Sequence, residues 1–322
     1  MNPEALEAAR DAIRGGRTFL IACHVRPDGD TLGSGMALWL ALGKLKKQAW
    51  IVSVDGVPDP WGFIPHSDVL LTSAPDENFD VAIAVDADGI ERLGNAKAAV
   101  ESAQTVISID HHAGAAPFGD IRIHNASRAA TAEIVLGLLD ALEIPLDAEM
   151  ATCLMAGIIG DTGAFRFTNV TPQTFETSSR LMMAGADPAE IARRVYENRG
   201  LTATKVLGHV LADLRTAAEG RVVWGSVSLQ SFGALGANDT HTDGVVNFIR
   251  AVRGAKVGLL FRECPDATVR VSLRSNGDVN VSKIAGVFGG GGHSAAAGCT
   301  VEGTLAEAED RVIGEVVKWM AS

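Results

Sequence analysis

Four short apolar runs in the first half of the chain limit the folds open to it: TFLIAC (18–23), AWIVSV (49–54), VAIAVD (81–86) and TVISID (105–110). Each is bounded by turn residues, and each reads as a strand buried on both faces. Strands of that kind belong in a parallel sheet covered by helices. Helical patterns lie between and after them. TLGSGMALWLALGKLKK is expected to be capped by Thr31 and weakened at Gly43, and TAEIVLGLLDALE and AEMATCLMAGII follow. The βαβ rhythm predicts an α/β fold with an open, mainly parallel sheet flanked by helices.

The 322 residues suffice for two domains. A hydrophobic share of 47% against 21% charged predicts a globular chain. The second half changes character. RVVWGSVSL, KVGLLFRE and TVRVSLRS read as strands, NDTHTDGVVNFIRAV and TLAEAEDRVIGEVVKWM as helices, and together they predict a smaller α+β domain. The expected division is a first domain at 1–185, a helical linker at 186–204 and a second domain at 205–322.

Charge is uneven. The net value is −11, and residues 1–185 hold 13 Lys and Arg against 24 Asp and Glu, while the remainder holds 15 of each. Affinity for long nucleic acid comes from neutralising many phosphates, so this chain is not expected to bind long duplexes. Cys23, Cys153, Cys264 and Cys299 show no CxxC spacing, which argues against a zinc ribbon and suggests no disulfides. The opening MNPEALEAARDAIRGG reads as a charged helix without the apolar core of a signal peptide, and no run reaches the roughly 20 apolar residues of a membrane span. The expectation is a cytoplasmic protein, monomer or homodimer, with no membrane association.

In an open parallel sheet, ligands bind beyond the carboxyl ends of the strands. There this chain places acids and histidines repeatedly. His24, Asp28 and Asp30 follow TFLIAC, Asp86 closes VAIAVD, and Asp110, His111 and His112 close TVISID. Asp161 ends the apolar helix, beside Gly160 and Gly163, which suit a sharp turn at a helix C-terminus. Any one of these alone is a turn or a cap. An EF-hand is excluded, because the twelfth position counted from Asp28 is Trp39. Together, carboxylates and imidazoles without thiolates suit Mn²⁺, with Mg²⁺, Fe²⁺, Co²⁺ and Zn²⁺ as alternatives. Asp28, Asp30, Asp86 and Asp161 would balance two divalent cations, and such a pair can activate water and clamp a phosphoryl group.

The motifs HVRPDGD, VDADGIERLG, DHH (110–112) and GIIGDTGAFRF, in that order, resemble those of the DHH phosphoesterase superfamily. SLRSNGDVNVSKIAGVFGGGGHSAAAG resembles its DHH-associated domain, so the likeness spans nearly the whole chain. The nearest branch in pattern is that of nano-RNases and pAp phosphatases, which also holds phosphodiesterases acting on pApA and cyclic di-AMP. The resemblance implies one Mn²⁺ on His24, Asp28 and Asp86 and another on Asp30, Asp86, His111 and Asp161. Asp86 would bridge, and Mg²⁺, Co²⁺ or Fe²⁺ could replace Mn²⁺. It implies catalytic roles for Asp86 and for His112 at the scissile phosphate, with Asp110 orienting a histidine. Asp88 matches an acid of the second motif. Arg274, Ser275, Gly290, Gly291, Gly292 and His293 would hold a terminal phosphate or nucleotide, the four glycines letting backbone N–H groups approach an anion. Seven Lys and Arg against three acids at 248–284 fit that role. The implied substrates are very short RNA, dinucleotides such as pApA, and pAp. Cyclic di-AMP hydrolysis, pyrophosphate hydrolysis and a non-catalytic nucleotide sensor are the alternatives.

Overall fold

A computed structural model describes residues 2–277 and 279–321. The chain divides into two compact units, residues 1–198 and 199–322.

The first unit runs α1 (Pro3–Gly15), β1 (Thr18–Cys23), α2 (Gly29–Lys44), β2 (Gln48–Val52), β3 (Val81–Val85), α3 (Lys97–Glu101), β4 (Thr105–Asp110), β5 (Ile121–His124), α4 (Thr131–Ala141), α5 (Ala148–Thr162), α6 (Pro172–Met183) and α7 (Pro188–Tyr196). Its five strands are all parallel, in the order β2-β1-β3-β4-β5. Period-2 geometry is intact although both faces are apolar. Phe19, Ile21, Val81, Ile83, Ile107 and Ile109 join the core that contains residues of α2, α4 and α5. Leu20, Ala22, Ala82 and Ala84 join the opposite core, with Leu93 and Val100. The chain passes from β1 to β2 on one side and to β3 on the other. The crevice therefore opens beyond the carboxyl ends of β1 and β3, the switch point of the sheet. The edge strand β5 is absent from the sequence reading because only Ile123 of its four residues is buried.

Helix α2 starts earlier than expected. Asp28, not Thr31, is the N-cap, and its carboxylate accepts from the N–H groups of Asp30 (3.0 Å) and Thr31 (3.2 Å). Thr31 is used elsewhere: its hydroxyl donates to the Val85 carbonyl (2.9 Å) and accepts from the His24 N–H (3.2 Å), stitching β1 to β3. Helices α2 and α5 cross at backbone contact. A Cβ on Gly33 would sit 2.1 Å from the Cys153 carbonyl oxygen, and one on Gly157 2.6 Å from Asp30 Oδ1. Glycine is demanded at both places by close approach.

The segment 186–204 contains α7, which packs into the first unit through buried Ile191, and the start of the next helix. The second unit comprises α8 (Leu201–Ala212), β6 (Arg215–Ala217), β7 (Val222–Val227), α9 (Leu229–Leu235), α10 (Val245–Arg250), β8 (Val257–Glu263), β9 (Thr268–Ser275), α11 (Val281–Val287), β10 (Gly291–His293), β11 (Ala296–Glu302) and α12 (Leu305–Ala321). Its sheet has the order β10-β11-β9-β8-β7-β6, with β7 and β8 parallel and the other pairs antiparallel. Val257, Leu259, Phe261, Val269, Val271 and Leu273 pack against α11 and α12. The expected helix at 238–252 is broken: a 3₁₀ turn at Asp239–Thr242 precedes Gly244, whose φ of 75° stops one helix before α10 begins. Among the described residues, no helix is long and apolar enough to cross a membrane.

Two glycine substitutions in α2 should act in opposite directions. Gly33→Ala drives a methyl into the Cys153 carbonyl and should cost about 1–3 kcal/mol. Gly43→Ala meets nothing within 4 Å and should stabilise by about 0.4–1 kcal/mol. Urea midpoints of the two variants check this, and equal midpoints would contradict the close α2–α5 packing.

Candidate metal centre

Three strand ends and one helix end converge beyond the sheet. His24 directly follows β1 and is buried. Its Nδ1 lies 2.9 Å from the Val25 carbonyl, to which it donates, so Nε2 is the free face of the ring. That nitrogen is 3.7 Å from Asp28 Oδ1 and 3.5 Å from Asp86 Oδ2. Asp86 follows β3 with φ of 59°, a left-handed conformation that Asp tolerates better than most residues. Its N–H is held by the Ile109 carbonyl at 2.8 Å, which ties the kink to β4. Its two oxygens face different partners. Oδ2 faces His24, whereas Oδ1 lies 3.7 Å from both His111 Nε2 and His112 Nδ1.

Asp110 ends β4. His111 Nδ1 donates to the Arg128 carbonyl (3.1 Å), which turns Nε2 to within 2.9 Å of Asp161 Oδ2 on the last turn of α5. Gly163 ends that helix in the left-handed conformation, with φ of 57°. His112 Nδ1 donates to Asp110 Oδ1 at 2.8 Å. Asp30 is fully buried in the first turn of α2. It accepts from the N–H groups of Thr131 (2.5 Å) and Ala132 (2.9 Å) and from the Ser34 hydroxyl (3.2 Å).

Three trios result, each with ligand atoms within 4.8 Å of one another: His24–Asp28–Asp86, Asp30–His111–Asp161 and Asp86–His111–His112. His111 Nε2 supplies a test of fit. It is buried and makes no properly directed hydrogen bond, although the carboxylates of Asp86 and Asp161 are close by. Such an orphaned ring nitrogen is uncommon in a folded protein. A divalent cation among these carboxylates would supply its partner, and a donor set of carboxylate oxygen and imidazole nitrogen suits one.

Residues 18–158 match the DHH family N-terminal domain, and residues 225–322 match the DHHA1 domain. The chain is 36% identical over 298 residues to the bifunctional oligoribonuclease and PAP phosphatase NrnA of Thermus thermophilus, covering 92% of this chain and 88% of that one. The chain belongs to the DHH family. Its NrnA relative from Bacillus subtilis is 28% identical, covering 88% and 89% of the two chains. In fold it is similar to an exopolyphosphatase-related protein from Bacteroides fragilis, with a TM-score of 0.92, 24% identity and coverage of 98% and 96%.

DHH phosphoesterases use divalent metals. This DHH centre also uses residues that the sequence did not single out. Arg92, inside the second motif, lies 3.3 Å from His24 Nδ1 and pairs with Asp88 (3.4 Å), placing Asp88 behind the histidine. Thr131 donates to Asp86 Oδ1 at 2.8 Å. The available cue was a hydroxyl at the first position of a helix, which ordinarily signals nothing more than a helix start.

In the DHHA1 unit, Arg274 on β9 donates to the Leu273 carbonyl (3.0 Å). Burial lowers its pKa, and the charges of Arg250 and Arg262 act in the same direction. Ser275 is buried, with its N–H on the Ala295 carbonyl at 2.9 Å. The four glycines do not form a free loop. Gly291 and Gly292 lie in β10, paired to β11, where a Cβ on Gly292 would strike the Ala296 carbonyl at 2.5 Å. A Cβ on Gly290 would strike the Gly298 carbonyl at 2.2 Å, whereas Gly291 opens onto free space. His293 shares a cross-strand row with Ala296 and Arg274; its side chain lies outside the described residues.

Charge crowding sets the protonation of the centre. Burial alone would depress His24, yet contact with Asp28 and Asp86 pushes it up to about 10. Burial likewise opposes His111, and Asp161, Asp30 and Asp86 push it up to about 10. Burial, with the charges of Asp86 and Asp161, raises Asp30 well above the usual carboxylate range. Burial also raises Asp161 to about 6, although His111 opposes the shift. Both raised imidazoles keep their protons below pH 10, and cation ligation requires them neutral. Metal uptake at pH 8 should therefore release about two protons per chain. Calorimetry in buffers of different ionisation enthalpy measures this, and a binding enthalpy independent of buffer would contradict it.

Proposed function

We propose that this protein is a divalent-metal phosphoesterase, with Mn²⁺ as the working cation, that cleaves very short RNA and dinucleotides such as pApA to mononucleotides. It also removes the 3′-phosphate of pAp to give AMP. The observation that carries the reading is the place of Asp86 between two trios: it belongs to His24–Asp28–Asp86, and its Oδ1 lies 3.7 Å from His111 of the trio Asp30–His111–Asp161, with His112 at the same distance. His24, Asp28 and Asp86 would hold one cation. Asp30, Asp86, His111 and Asp161 would hold the other. The names of the Thermus and Bacillus relatives supply the substrate class.

When bound, a cation pair supplies Lewis acidity at the phosphoryl oxygens and lowers the pKa of water. The remaining roles belong to the side chains. Asp110 fixes the His112 tautomer through Nδ1, and that hydrogen bond, against the cost of burial, raises the imidazole pKa. With Nδ1–H held on Asp110, a protonated His112 would offer Nε2–H to the leaving oxygen of the scissile phosphate. The kinked backbone of Asp86, tied to Ile109, keeps its carboxylate between the two histidine groups without a cost of reorganisation during turnover. Arg274, Ser275, the Gly290–Gly292 backbone and His293 would grip a terminal phosphate or nucleotide. Recognition of a chain end in this way favours short substrates over long duplexes.

A panel of pAp, pApA, cyclic di-AMP, RNA of graded length, DNA and pyrophosphate, each with Mn²⁺, tests the reading. pAp, pApA and the shortest RNA should turn over fastest. Preference for cyclic di-AMP would shift the substrate class, and binding of pApA without hydrolysis would indicate a sensor. Asp86→Asn keeps a residue tolerant of the left-handed backbone, so it should fold yet lose about 10²–10³-fold or more in kcat. Near-normal turnover would overturn the shared-carboxylate centre. Arg274→Ala should mainly raise KM for nucleotides, and a KM unchanged for all of them would remove Arg274 from the binding site.

A further inference from the structure

Helix α4 begins without a cap of its own. The residue before it is Ala130, which has no side chain able to accept a hydrogen bond. Asp30 caps it from a distant part of the chain, accepting the N–H of Thr131 on Oδ2 and that of Ala132 on Oδ1. The Thr131 hydroxyl is free for another use, because at a first helical position no preceding helical turn offers it a carbonyl. It donates to Asp86 Oδ1 at 2.8 Å, and Thr131 is fully buried. One residue thereby holds two carboxylates that arrive from different elements, Asp30 from the first turn of α2 and Asp86 from the end of β3. Asp30 is confined from the other side as well, since any Cβ on Gly157 would lie 2.6 Å from its Oδ1.

We infer that Thr131 is a positioning residue of the metal centre, fixing the rotation of the Asp86 carboxylate and joining Asp86 to Asp30 before any cation arrives. The inference rests on the reading of this cluster as a divalent-cation site. A carboxylate oxygen has two lone pairs. The Thr131 hydroxyl takes one on Oδ1, leaving the other toward His111 and leaving Oδ2 toward His24. Without the hydroxyl the carboxylate can turn about its Cβ–Cγ bond, and neither oxygen is held to its side. Serine restores the donor, whereas valine keeps the shape and removes it.

Equilibrium binding of Mn²⁺ to the metal-free protein separates this role from a purely structural one. Wild type, Thr131→Ser, Thr131→Val and Thr131→Ala are compared, with thermal midpoints and far-UV spectra of the metal-free proteins measured in parallel. Thr131→Val should bind Mn²⁺ about 10–100-fold more weakly, with Thr131→Ser within about threefold of wild type. Should valine prevent folding, alanine against serine makes the same comparison. A folded Val or Ala variant with wild-type Mn²⁺ affinity, even with a lowered thermal midpoint, overturns the positioning role. Equal weakening in the Ser variant overturns it too, because the donor would not be what matters. Failure of the wild type to take up Mn²⁺ would instead remove the metal-centre reading, and this inference with it.

Discussion

Like-charge repulsion among clustered carboxylates, of which Asp30 and Asp86 are buried, is the constraint around which the first unit is built. Asp28, Asp30, Asp86 and Asp161 converge in one small volume, and their mutual charges, with burial, push the Asp30 and Asp161 pKa values upward. In a low-dielectric setting such a cluster would resist folding. The structure opposes it with fixed positive partners. The N-terminus of α2 presents its first amides to Asp28, and that of α4 presents its own to Asp30. Each helix end acts as about half a positive charge. Two imidazoles with pKa values near 10 add further compensation until a cation replaces their protons.

That charge balance depends on packing that is almost entirely apolar. Asp30 and Asp161 lie on different helices and can approach each other only because α2 and α5 touch at backbone distance through Gly33 and Gly157. Across the sheet, the Asp86 N–H on the Ile109 carbonyl and the Thr31 hydroxyl on the Val85 carbonyl align the strand ends. The places of these side chains are therefore set by helix crossing and strand register, together with the short turns that directly follow the strands. Elements of a scaffold hold a site more tightly than a loop can.

What the sequence made legible follows from period and position. Four of the five strands in the first unit stand out as apolar runs; β1, β3 and β4 are buried on both faces and their carboxyl ends name the acids and histidines in order, whereas β2, expected to be buried on both faces, is an edge strand buried only at Ile51 and Val52. Two short edge strands, β5 and β10, were invisible. β5 has one buried residue, and β10 consists of two glycines and a histidine, which carry no strand signal. The α2 cap was misplaced because Asp28-Gly29-Asp30 has the composition of a turn, while its backbone is already helical from Gly29. Thr131 and Arg92 could not be found from spacing. Their roles arise from contacts with residues distant in the chain, Asp86 at 45 positions and His24 at 68.

The unequal charge of the two halves has a chemical reason. An acidic cluster that collects cations attracts a phosphate only through those cations, so its affinity for an anion varies with metal loading. A guanidinium remains charged whatever the metal supply. Partial burial lowers the pKa of Arg274, and the charges of Arg250 and Arg262 lower it further, while Asp239 pairs with Arg262 and Arg270. Among the described residues, no carboxylate pairs with Arg274. An anion at the same place would relieve repulsion among these cations, which is what the proposed grip on a terminal phosphate asks of this unit. Under the proposed function, binding energy would come from a group distant from the reacting bond, and recognition of a chain end would then contribute to turnover as well as to affinity.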